Sequence, residues 1–495
     1  MDLCQPCWRG SPEGIVMCDT IIKNANIVTE EGVIEGFLEI TDGKISKISG
    51  GEYFDTENAE DTKGNCTSKK SNKPLVIDAA GNFLLPGGID VHTHLEMPLR
   101  DDLWSADSWE SGTIAAAVGG TTTVVDYACQ DANGTLTDAL NVWKNRAKKA
   151  CVDYGLHMSV VKTDDATLSE MADMVNEGVT SFKVYLVYDM RVSDEELMKI
   201  LERSKELGTI VTVHCENYGV IKHRTEKLLA EGKTEPKYHA ISRPDICEGE
   251  AVNRVIKVAK MADDAPVYIV HNSCEAGVKR IVEAQAEGQA VYAETCPQYL
   301  LLDESRYELP DFEGAKYVMS PPLRNVSNNK YLWNRIKDGT ICVVATDHCP
   351  FFFEEKKLGL HNFSMIPNGG TGIEERIPLM YSEGRRNGLD FAGIAKVTST
   401  NPAKMFGMYP KKGTIKEGSD ADLVIYDPKA CVRLTHDILH EHVDYTCYEG
   451  FELEGFPVMT LLRGEVVAKD GEYVGEKGCG EYVVRQKPLF SIEYC

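Results

Sequence analysis

Basic charge is what this sequence has least of. It carries 53 Lys and Arg against 77 Asp and Glu in 495 residues, a formal net charge of −24. A chain this acidic is repelled by phosphate backbones and by anionic lipid, which excludes broad nucleic-acid or membrane-surface binding. No run of about 18 apolar residues is present, so no transmembrane helix is expected. Met1 to Gly10 lack a basic stretch followed by an apolar one, so no secretory leader is expected either. The sixteen cysteines fall singly, mostly inside apolar runs such as Ile341-Cys342-Val343-Val344, and read as reduced thiols of a cytoplasmic protein rather than a disulfide framework. The one close pair, Cys4 and Cys7, has no second pair at metal-site spacing. Residues 1–17 therefore read as a tail, with Met17 a candidate start because patterned sequence begins there.

What is present is an ordinary globular composition, 43% hydrophobic and 26% charged, long enough for a large barrel with appendages. Residues 18–87 alternate short apolar runs with turns. Asp42-Gly43 between two such runs is a hairpin signal. Residues 50–73 are polar and read as an exposed insertion. From 88 to 411 the pattern becomes strand, loop, helix, repeated. Strand-like runs are Thr122–Asp126, Ser181–Tyr185, Ile210–His214, Val267–His271, Ala290–Glu294 and Ile341–Ala345. A helix is expected over Asp194–Leu207, with Ser193 as N-cap and Gly208 as C-cap. Such repeats predict an α/β fold, a (β/α)8 TIM barrel. A doubly wound open sheet is disfavoured, because no Gly-rich phosphate loop follows the first strand. From 412 to 485 short strands return and are expected to join residues 18–87 in a side β-sandwich domain. Residues 486–495 form a second tail.

Several strand ends finish in a residue able to bind metal. His92 and His94 are two apart, so on a strand they share a side. His214, His271 and Asp347 stand at the ends of later strands, where barrel enzymes build their sites. One histidine alone would read as a satisfied core residue; four with a carboxylate read as a metal centre. Nitrogen and oxygen donors without clustered cysteine suit zinc, with iron, manganese or cobalt as alternatives. Lys183 lies mid-strand among Phe182, Val184 and Tyr185, where a free ammonium is costly to bury. As a neutral amine it can take up CO₂ as a carbamate, an anionic bridge for two metals.

These segments, with Ser320-Pro321-Pro322-Leu323-Arg324, Pro367-Asn368-Gly369-Gly370 and Gly418-Ser419-Asp420-Ala421-Asp422, occur in an order that resembles the amidohydrolase superfamily. Within it the likeness is to dihydropyrimidinases and hydantoinases, over residues 18 to 485. The resemblance implies two divalent metal ions, zinc in the first instance. One is held by His92, His94, carbamylated Lys183 and Asp347, the other by the same carbamate, His214 and His271. It implies Asp347 as proton carrier and Tyr188 as hydrogen-bond donor to the oxyanion. Ser320 and Asn368 hold the ring edge, and Met97, Leu99 and Tyr185 wall the ring substituent. The activity implied is hydrolytic opening of dihydropyrimidines, a step of pyrimidine catabolism, or of 5-substituted hydantoins. The partner is a small cyclic amide and the assembly a homotetramer or homodimer. A dihydroorotase-like anionic substrate is disfavoured by Glu96, which stands where those enzymes carry Arg. An allantoinase-like cyclic amidase is the alternative. A non-catalytic relative is disfavoured because all six ligands and Tyr188 are kept. Arg100 departs from the small apolar residues of many relatives, and Arg485 to Cys495 are a candidate exchanged tail.

Overall fold

The computed structural model describes residues 18–53, 60–61, 74–100 and 102–490. Cys4, Cys7, Met17 and most of the polar insertion lie outside them. Eight parallel strands follow in order: β1 Gly88–Thr93, β2 Thr121–Cys129, β3 Asp153–Ser159, β4 Ser181–Tyr185, β5 Ile210–His214, β6 Val267–Ile269, β7 Val291–Thr295 and β8 Val343–Val344. A parallel bridge from Thr93 to His348 and the His94 N–H on the His348 carbonyl at 2.9 Å bring the last strand back to the first. The barrel is that expected from the strand–helix repeat.

Side-chain alternation sorts the strands. On β4, Phe182 and Val184 pack outward into the main core, which leaves Lys183 to the interior. The helix Asp194–Leu207 starts on a capping box between Ser193 and Glu196 and ends at Gly208 in the left-handed conformation, as its sequence dictates.

Two differences from the strand pattern are informative. β3 escapes it because its residues serve other elements: Asp153 pairs with Lys412 at 2.7 Å, and a Cβ on Gly155 would lie 3.2 Å from Arg485. β6 and β8 are shorter than expected. His271 and Asp347 have φ of 38° and 54°, so the chain leaves the ladder at or before these residues.

The side domain is one mixed sheet of ten strands that takes strands from both chain ends. Phe83–Pro86 pairs antiparallel with Leu423–Arg433. The Asp42-Gly43 hairpin turn has positive φ at both residues, the geometry that suits the strand twist. Lys412 joins sheet to barrel. Its ammonium lies 2.7 Å from Asp153, 2.5 Å from Asp422 and 3.3 Å from Asp420. These three carboxylates have metal-like spacing, but the lysine already supplies the cation. Residues 481–490 run along the barrel of their own chain. The Arg485 guanidinium, 2% exposed, donates to the Leu156 carbonyl and to Ser181 Oγ. The segment 485–490 thus packs against the barrel. Among the described residues no helix is long and apolar enough to cross a membrane.

Candidate active site

The C-terminal ends of the barrel strands gather the expected ligands. His92 is the penultimate residue of β1 and His94 lies just beyond the strand, their rings 5.3 Å apart. Asp347 Oδ1 lies 3.1 Å from His92 Nε2 and 3.2 Å from His94 Nε2. Ligand atoms of His92, His271 and Asp347 all lie within 4.8 Å of one another. The His214 ring packs against His271 at 4.5 Å. Lys183 is 1% exposed and makes no ion pair among the described residues; its Nζ lies 4.8 Å from the Tyr127 ring centroid.

Burial dominates the electrostatics. It pushes the Lys183 ammonium down to about 8 despite Asp347 and Glu294, so a neutral amine is accessible near physiological pH. Burial also holds His94 down to about 4, and His214 and His271 below the ordinary imidazole range. Neutral imidazole is the ligand form. His92 runs the other way: burial opposes its charge, but the Glu294 and Asp347 carboxylates raise it to about 9. Asp347 would be raised by burial, yet His92 and its neighbours hold it well below the carboxylate range.

The donor set fits a divalent metal pair. His94 Nδ1 and His271 Nδ1 are buried with no hydrogen-bond partner, a condition that cation binding at the ring relieves. Left-handed backbone gathers here as well, with φ of 38° at His271, 54° at Asp347 and 70° at Tyr188. Non-glycine residues in such conformations cost roughly 1–3 kcal/mol each and cluster where function demands a particular aim.

Tyr188 follows β4 and packs edge-on against His214 at 5.4 Å. Burial raises its hydroxyl to about 12, and the group faces the Ser320 side chain. Ser320 is buried, with Oγ 3.4 Å from His239 Nε2, which itself donates to the Met319 carbonyl at 2.8 Å. Asn368 is half-buried. Tyr185 is buried beside Tyr188, and Met97 packs with Leu103, Cys349 and Phe351. Leu99 is not brought into this cluster: it is 40% exposed on the strand Pro98–Arg100, which pairs with Leu103–Trp104 as a hairpin. Arg100 ties that hairpin to the Met365 carbonyl at 2.7 Å, just ahead of Asn368. The Glu96 carboxylate faces the N-terminus of the helix Trp109–Val118, 3.5 Å from the Trp109 N–H.

Sequence reasoning missed the residues behind the ligands. Glu294 on β7 is fully buried. It accepts from His92 Nδ1 at 2.6 Å, from the His271 N–H at 2.9 Å and from Tyr268 Oη at 2.9 Å. Glu216 accepts from His214 Nε2 at 2.8 Å and from Arg243 at 2.7 Å. Carboxylates that orient ligand imidazoles in this way are a general feature of metal centres. The available signal was Glu294 itself, an acid within an apolar strand-like run.

An α/β barrel with histidines, a carboxylate and a buried lysine gathered at its strand ends is the arrangement of an amidohydrolase-type hydrolase. The family model described as "Amidohydrolase family" matches residues 83–467. The D-hydantoinase of Geobacillus stearothermophilus is 44% identical over 94% of this chain and 96% of its own. The crystal structure of dihydropyrimidinase from Brevibacillus agri superposes with a TM-score of 0.89 at 42% identity, over 95% of this chain and 99% of its own. L-Hydantoinase (dihydropyrimidinase) from Arthrobacter aurescens gives 0.84 at 32% identity, over 95% and 100%. The chain belongs to the amidohydrolase family, in its hydantoinase and dihydropyrimidinase branch.

Proposed function

We propose that this chain is a zinc-dependent cyclic amidohydrolase. It opens 5,6-dihydrouracil, dihydrothymine or 5-substituted hydantoins to N-carbamoyl amino acids. The observation that carries the reading is the convergence of His92, His94, His214, His271 and Asp347 around the buried Lys183 at one end of the barrel. One metal would be held by His92, His94 and Asp347, the other by His214 and His271, with a carbamate on Lys183 between them. The carbamate forms when the neutral amine adds to CO₂ and loses one proton. When bound, two such cations acidify water and polarise a carbonyl.

The remaining work falls to the chain. Asp347 accepts a proton from the attacking water as the carbon–oxygen bond forms, then passes it to the ring nitrogen as the carbon–nitrogen bond breaks. The Tyr188 hydroxyl, kept protonated by burial, donates to the oxyanion of the tetrahedral intermediate. Ser320 and Asn368 hold the ring edge, and Met97 and Tyr185 wall its substituent. Relatives named for D- and for L-substrates superpose on the same barrel, so enantiomer preference belongs to these walls. The assembly carried over is a homotetramer or homodimer. Twelve cysteines stand outside any disulfide among the described residues, which fits a reducing, cytoplasmic setting.

The test is a turnover comparison of dihydrouracil, hydantoin, 5-phenylhydantoin and allantoin on one preparation, before and after chelation. Ring opening of at least one of the first three, lost on chelation and restored by zinc, is expected. Activity confined to allantoin, or full activity in metal-stripped protein, refutes the reading.

A further inference from the structure

One buried cation has no part in the chemistry above. Lys356 ends the short helix Phe353–Lys356, is fully buried, and makes no ion pair among the described residues. Its ammonium donates to three backbone carbonyls: Val318 at 3.0 Å, Pro367 at 2.7 Å and Gly369 at 2.7 Å. Three donors meet three acceptors, so the set is complete only for the charged form. Burial lowers its pKa to about 8, which leaves it mostly protonated at neutral pH.

These carbonyls belong to the two segments read as holding the ring. Val318 precedes Ser320 by two residues, and Pro367 and Gly369 flank Asn368. The segments also touch directly, since the Gly369 N–H donates to the Val318 carbonyl at 3.0 Å. The fit is tight: a Cβ on Gly369, at φ 148°, would lie 2.0 Å from the Cys349 carbonyl oxygen. Within a trans peptide the C=O and N–H point opposite ways. With the Pro367 carbonyl turned to Lys356 and the Gly369 N–H to the Val318 carbonyl, the N–H and C=O of Asn368 face away from both. They offer one donor and one acceptor, the pattern that the edge of a cyclic ureide requires.

We propose that Lys356 is a positioning residue: it holds the Ser320 and Asn368 segments at the spacing a cyclic ureide edge needs. The inference rests on the reading of those segments as the ring-binding edge. It assigns Lys356 no contact with substrate.

The test uses the full chain with Lys356→Met, which keeps length and removes all donors, and Lys356→Gln, which returns two. KM and kcat for dihydrouracil are measured beside inhibition by acetohydroxamate, which can ligate metal but lacks the ureide edge. Metal content and thermal melting are recorded in parallel. Lys356→Met is expected to raise KM for the ring about 10- to 100-fold, the scale of an ångström-level misplacement. Hydroxamate inhibition and metal content are expected to stay within about twofold, with Lys356→Gln recovering part of the ring affinity. Unchanged KM in folded Lys356→Met overturns the role, as does parallel loss of hydroxamate inhibition and metal. If Lys356→Met does not fold, Lys356→Gln carries the comparison, and an unchanged KM there overturns the role. A wild-type protein that opens no cyclic ureide overturns the reading of the site instead.

Discussion

Replacing Glu294 by Gln separates the charge behind the proposed metal ligands from their shape. The carboxylate is fully buried and orients two ligand residues at once, through His92 Nδ1 at 2.6 Å and the His271 N–H at 2.9 Å, both on Oε1. Tyr268 Oη occupies Oε2 at 2.9 Å. Gln has the same size. Its carbonyl can keep both bonds on the Oε1 side, while its amide nitrogen turns to Tyr268, whose hydroxyl can accept. What disappears is the charge that raises His92 against burial and that makes the shortest of these bonds charge-assisted.

Loss of such an outer partner costs 10- to 100-fold in metal affinity or activity, about 1.4–2.8 kcal/mol. Glu294→Ala is a different perturbation. It leaves three buried donors unpaired at about 1–3 kcal/mol each, a sum comparable to a domain's whole stability of about 5–15 kcal/mol. The assay is metal retention by elemental analysis along a chelator series, with kcat and thermal melting on the same samples. Glu294→Gln should fold and lose metal at roughly one-tenth to one-hundredth of the chelator strength wild type withstands. Glu294→Ala should be largely insoluble. Wild-type retention and turnover in Glu294→Gln would refute the argument that this carboxylate tunes the centre.

Further outcomes follow from the same geometry. Lys183→Ala should abolish turnover, with partial return on adding short carboxylic acids; an untreated variant with wild-type kcat would remove the carbamate from the mechanism. Lys412→Met removes the buried cation shared by Asp153, Asp420 and Asp422. It leaves Asp422 without an ion pair among the described residues, while Asp153 keeps Arg463 and Asp420 keeps Lys44 and Lys411. The change should cost about 3–5 kcal/mol in chemical denaturation. Burial disfavours the Lys412 charge, but Asp422, Asp153 and Asp420 hold it above the usual lysine range. Its contribution is therefore fully present below the unfolded pKa of about 10.4 and is lost as pH rises further. Melting followed from pH 9 to 12 should show that loss in wild type; a flat profile would count against the pairing.

The barrel was legible because parallel strands buried on both faces are written as apolar runs, separated by capped helices such as Asp194–Leu207. β3 was not, because Asp153, Gly155 and His157 answer to Lys412, Arg485 and Ser181, partners far away in the chain. The proposed metal ligands were legible as chemistry: imidazole and carboxylate at the ends of apolar strands have few structural uses together.

The sequence by itself determined the strand–helix repeat, the ligand types and the acidic overall balance, since each is a matter of local pattern or composition. Tertiary structure decided what stands behind the ligands. Glu294 meets His92 across 202 positions of chain, and Lys356 meets carbonyls of two separate segments that no spacing connects. Buried polar groups must find partners wherever the fold provides them. Their pairing is a property of the closed barrel, not of any one strand.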